Sequence, residues 1–187
     1  MSSPNNYLFE ACTDSVADSL AAEHGGLHRI ELCSALEVGG LTPPLSLMEE
    51  TIRCVKIPVH VMIRPRAGDF LYNDVEFNLM LQDVSHAKQA GAAGVVFGLL
   101  NDDGSIDIER TRTLIDAARP MKVVMHRAFD MSVDPFLSLE AIIGLGFDIL
   151  LTSGQRQTAE YGLDLIKELI KRAGNRIQVM AGSGVHA

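Results

Sequence analysis

The stretch KVVMHRAFD, residues 122–130, runs apolar residues straight into His126, Arg127 and Asp130. Its first half reads as a buried strand. A buried strand that ends in ionisable groups must open onto something polar, and what that is depends on its neighbours. Working outward from it, one unit recurs along the chain. A short apolar strand is followed by an amphipathic stretch, a Gly or Pro, and another strand. Strands are expected at 7–11, 28–33, 58–63, 93–98, 122–126, 148–152 and 177–181. Helices are expected between them. DSVADSLAAEHG carries an Asp14 cap and a Gly25 stop, and LSLMEETIRCV ends before Pro58. DVEFNLMLQDVSHAKQAG stops at Gly91, and DIERTRTLIDAARP, PFLSLEAIIGLG and QTAEYGLDLIKELIKRAG complete the series.

Strands alternating with helices imply a parallel sheet. Two α/β architectures compete: the TIM-type (β/α)₈ barrel of about 250 residues and an open doubly wound sheet. An open sheet gathers its ligand-binding residues at one switch point. Here every strand end carries functional-looking residues, which favours the barrel. The chain passes its seventh strand only at AGSGVHA, so residues 1–187 are expected to form a single domain built as a barrel cut short after about seven strands. The first and seventh strands are then expected to present open edges and to promote self-association.

The totals narrow the function classes. Lys plus Arg number 16 against 24 Asp plus Glu, a net charge of −8, which argues against a general nucleic-acid binder. No apolar run approaches the roughly 20 residues that cross a bilayer. The opening MSSPNNYLFEA has no basic segment followed by an apolar core, so no secretory signal is expected. Three cysteines in such a chain are expected to be reduced thiols in the cytoplasm.

In a barrel the active site lies at the C-terminal ends of the strands. Side chains alternate inward and outward with period two. Glu10 and Cys12 therefore share a face, as do Arg29, Glu31 and Cys33. His60, Met62, Arg64 and Arg66 share one if the strand stays extended that far. Glu10, Glu31, Arg64 and His126, from four strands, are expected to converge on one pocket. Glu10, Glu31 and His126 are its candidate acid–base groups, with His126 favoured because imidazole titrates near neutrality. Arg127 alternates away from His126 and is free to pair with Asp130. Arg64 and Arg66 suit a small anionic ligand, because guanidinium forks match carboxylate or phosphate. The short glycine loops TSG and GSG add Ser153 and Ser183 as weaker anion-binding candidates. Cys12 and Cys33 follow neighbouring strands, and two reduced thiols there suit a soft ion such as Cu(I). Cys54 lies in a helix and reads as a core residue. The chain has no C-x-x-C or His-x-x-His pair, and no dinucleotide-binding or P-loop glycine motif.

Taken in order, RIELCSALEVGGLTP (29–43), IPVHVMIRPRAGDFLY (57–72), HRAFDM (126–131) and LTSG (151–154) closely resemble the CutC family of copper homeostasis proteins. The resemblance runs from about residue 7 onward. It implies a TIM barrel, a cytosolic place, self-association, and a role in copper tolerance with Cys12 and Cys33 as Cu(I) ligands. It also implies an eighth strand that this chain does not reach. Small departures are Ala67 where Gly is usual and Leu27–His28 before Arg29. Two functional readings result: a Cu(I)-handling protein without turnover, and an enzyme acting on a small carboxylate or phosphate.

Overall fold

The structure is a computed structural model and describes residues 7–185. Seven parallel strands form one sheet in sequence order: β1 (Glu10–Thr13), β2 (Arg29–Leu32), β3 (Val59–Met62), β4 (Gly94–Phe97), β5 (Lys122–Met125), β6 (Ile149–Thr152) and β7 (Gln178–Ala181). The connecting helices are α1 (Val16–His24), α2 (Leu45–Cys54), α3 (Asp74–Ala90), α4 (Ile108–Ala118), α5 (Pro135–Leu145) and α6 (Leu163–Ala173). The sheet curls into a TIM-like half-barrel. Arg29 on β2 reaches across to Met180 on β7, with Nη2 to Sδ at 3.3 Å. β1 and β7 each pair with a single neighbour among the described residues.

Three expectations from the sequence shift. The first strand lies at Glu10–Thr13 rather than 7–11, because its pairing with β2 sets Glu10 opposite Arg29 and Cys12 opposite Glu31. Ser15, not Asp14, caps α1, its hydroxyl accepting from the Asp18 N–H at 3.0 Å. The last helix begins only at Leu163. Residues 157–162 stay irregular because Gly162 packs its backbone directly on Ser153 and Gly154. A β-carbon at Gly162 would overlap the Ser153 carbonyl oxygen.

The alternation of each strand divides the apolar residues into two cores. Ile30, Leu32, Val61, Val95, Phe97, Val123 and Leu150 face outward and pack under the helices with Met48, Met80, Leu114, Leu139 and Leu169. Met62, Val96, Val124 and Ile149 face inward with Cys33, Leu151 and Met180. The interior is narrow, and glycine makes the room. A β-carbon on Gly94 would sit 2.6 Å from the His60 ring, and one on Gly98 would sit 2.8 Å from His126 Nδ1. The two glycines bounding strand β4 therefore seat the imidazoles of its neighbours.

Gly94→Ala should destabilise the fold by about 1–3 kcal/mol, the usual cost of overpacking a filled core. Denaturant unfolding measures it. A second substitution, His60→Ala, should recover part of the loss, because it empties the space the methyl group needs.

Candidate functional site

The C-terminal mouth of the half-barrel holds a cavity of about 620 Å³. Glu10, Cys12, Glu31, Arg64, His126 and Ser183 all line it, together with Phe70, Met62, Leu151 and Met180. Glu10, Cys12, Glu31, Met62, Leu151 and Met180 reach it because alternation turns those strand positions inward, whereas Arg64, Phe70, His126 and Ser183 come from the segments that follow the strands. Arg66 does not reach it. After Pro65 the chain leaves the strand direction, and Arg66 binds Glu76 at 2.6 Å and Asp69 at 2.9 Å while its guanidinium lies over Tyr72. It ties a loop to the capped start of α3 rather than facing a ligand. Ser153 is also occupied. Its hydroxyl is wedged between Asp130, Arg127 and the Arg156 carbonyl. Ser183 sits at positive φ and donates to the Gln157 carbonyl at 3.0 Å.

Glu31 is the centre of the acidic side. One oxygen, Oε1, accepts from Cys12 Sγ at 3.4 Å and from Cys33 Sγ at 3.7 Å, so both thiols meet on one buried atom. The other oxygen, Oε2, is buried without a hydrogen-bond partner. Burial, and next the charge of Glu10, push the Glu31 carboxyl up to about 7. Burial first, then Glu31, push both thiols far above their ordinary value. Gly40, at positive φ, packs against Cys33. A β-carbon there would lie 2.9 Å from its sulfur.

Glu10 sits deeper than a strand-end residue, because it begins its strand. It forms an ion pair with Arg29 and lies 4.0 Å from His60 Nδ1. Burial pushes its carboxyl up, against the pull of Arg29.

His126 and Arg64 form the opposite wall. His126 Nδ1 accepts from the Ala128 N–H at 3.2 Å, capping the short 3₁₀ turn Arg127–Met131. The hydrogen of the neutral ring therefore belongs on Nε2, which is buried without a partner. Burial, and next the charge of Arg64, push its pKa down to about 3. His126 is thus a neutral donor at physiological pH rather than a ready base. The remainder of KVVMHRAFD builds the wall behind it. Buried Asp130 accepts from Arg127 at 2.9 Å, Thr152 at 2.5 Å, and the backbone N–H groups of Ser153 and Gln155 at 2.9 and 3.1 Å. It ties the strand β5 loop to the LTSG loop.

The sequence reading missed two contributors. Phe70, in the loop after β3, places its ring 4.9 Å from His126 and 5.0 Å from the Arg64 guanidinium. The seats for the two histidines were readable as the glycines bounding AGVVFG.

The buried rings set an acid dependence. Burial, and next Arg29, push His60 down to about 4. Between pH 6.5 and about 4 the unfolded chain binds protons that the folded histidines refuse, so stability falls as pH falls. At pH 5 this amounts to about 2 kcal/mol per histidine. Glu31 opposes it. Its raised value makes the folded state hold a proton between pH 4.5 and about 7, so its share of stability falls as pH rises. Unfolding at pH 7 and pH 5 should show His126→Asn losing less than wild type on acidification and Glu31→Gln losing more.

Comparison with known proteins agrees with this architecture. The chain is 50% identical over 181 residues to a copper homeostasis protein cutC homolog of Homo sapiens, covering 97% of this chain and 66% of that protein. It is 48% identical over 184 residues to a family protein CutC of Bacteroides fragilis, covering 97% and 72%. A solved structure described as a copper homeostasis protein CutC from Streptococcus agalactiae superposes with a TM-score of 0.92 at 34% identity, over 96% of this chain and 89% of that one. An aldolase, QR15, shares the barrel alone, with a TM-score of 0.67 at 12% identity over 96% and 80%. The chain thus spans just under two thirds of the human relative's length. The CutC family profile matches residues 7–187, and this chain belongs to the CutC family.

Proposed function

We propose that this protein handles Cu(I) in copper homeostasis, with Cys12 and Cys33 as the sulfur ligands. The observation that carries the reading is the convergence of both thiols on Glu31 Oε1. Soft thiolate donors select Cu(I). Each thiol gives up a proton on binding, which couples affinity to pH. Glu31, held near neutrality, is placed to take one of those protons and so reduce the buried negative charge. The three free cysteines fit a reducing compartment, the cytosol. Among the described residues no helix is long and apolar enough to cross a membrane.

Anaerobic Cu(I) titration tests the site. Wild type should bind one equivalent with ultraviolet thiolate-to-copper absorption, more tightly at pH 8 than at pH 6. The double variant Cys12→Ser, Cys33→Ser should lose that absorption. Equal binding by the double variant would remove the site. Self-association belongs to the same reading. β1 and β7 each pair with a single neighbour among the described residues, edges of the kind that can pair with another chain, and sedimentation at micromolar concentration should show a species larger than the monomer.

A further inference from the structure

Arg64 is 6% exposed and spends its donors unevenly. Nη1 donates to the Val38 and Gly40 carbonyls at 2.9 and 3.1 Å, and Nη2 to the Gly68 carbonyl at 3.1 Å. Those carbonyls hold the group in place but carry no countercharge. A guanidinium has five N–H donors. Nε–H and one hydrogen of Nη2 remain, and Nε is buried without a partner among the described residues. The Tyr72 hydroxyl lies near the guanidinium, yet it too lacks a partner of acceptable geometry. None of the acids of the same cavity forms an ion pair with Arg64: Glu10 is paired with Arg29, Asp130 is held by the LTSG loop, and Glu31 shares one oxygen with the two thiols and leaves the other unpartnered.

Against Arg64 stands His126, 4% exposed, with its Nε2 donor also unpartnered. The Phe70 ring packs on both groups, and all three residues line the mouth cavity. A buried cation without a countercharge and a neighbouring unused donor are each costly unless something completes them. Besides the acids already named, the lining has apolar side chains, Met62, Leu151, Met180 and Val38. We propose that Arg64 and His126 bind the oxyanion head of a small organic acid, a carboxylate or phosphate, whose apolar body lies along Met62, Leu151 and Met180 with Phe70 closing over the head. The site is separate from the thiol pair on Glu31 and does not depend on the copper reading.

The test uses the whole chain without copper. The probes are phenylacetate, phenyl phosphate, inorganic phosphate and the neutral phenylacetamide. Imidazole ¹⁵N spectra of wild type report His126 Nε2 directly. Phenylacetate or phenyl phosphate should move that resonance saturably and phenylacetamide should not. Whichever of the two acids binds tighter identifies the head group, and inorganic phosphate alone should bind at least tenfold more weakly than phenyl phosphate. By calorimetry Arg64→Ala should lose tenfold or more in affinity. Tyr72→Phe and the double variant Cys12→Ser, Cys33→Ser should retain it. If Arg64→Ala does not fold, the wild-type His126 shift decides. No shift with either acid at millimolar concentration, or an equal shift with the amide, overturns the proposal.

Discussion

Every strand of this sheet gives one face to the helices and turns the other into a single narrow interior, and that constraint governs the molecule. In register, β1 sets Cys12 beside Glu31, and β2 sets Glu31 beside His60. The parallel ladder thus carries ionisable side chains into a space with little water. Charge there must be paired, hydrogen-bonded or given up. All three outcomes appear. Glu10 is paired with Arg29, Asp130 is surrounded by donors, and Glu31, His60 and His126 are displaced toward their neutral forms.

The contrast between Asp130 and Arg64 separates a satisfied charge from an incomplete one. Asp130 is saturated by donors from two loops, so its carboxylate holds the mouth together and has little left for a ligand. Arg64 is clamped by carbonyls on one side and left incomplete on the other. The same holds for Glu31, with one oxygen shared by two thiols and one unpartnered. Such incomplete groups mark the two faces of the cavity. A thiol–carboxylate face suits a soft cation, and a guanidinium–imidazole face suits an oxyanion.

Much of this was legible in the sequence. Period two alone put Glu10 with Cys12 and Glu31 with Cys33, because side-chain alternation survives any small error in strand boundaries. It does not survive the end of the strand, and so Arg66 was misplaced. Pro65 turns the chain, and the Glu76 carboxylate at the start of α3 captures the guanidinium. The Arg127–Asp130 pair was readable from its spacing, whereas the service of Asp130 to Thr152 and Ser153 was not, since those partners arrive from another strand.

By itself the sequence determined the alternation of strands and helices, the parallel sheet, and the family, because local periodicity and long ordered motifs are properties of the chain. The tertiary structure decided which ionisable groups remain available. His126 illustrates it: the letters show an imidazole at a strand end, where it should titrate near neutrality. Packing over Gly98, against Phe70 and beside Arg64 strips it of water and makes it a neutral donor. Desolvation depends on everything that surrounds a group, and most of those surroundings come from distant parts of the chain.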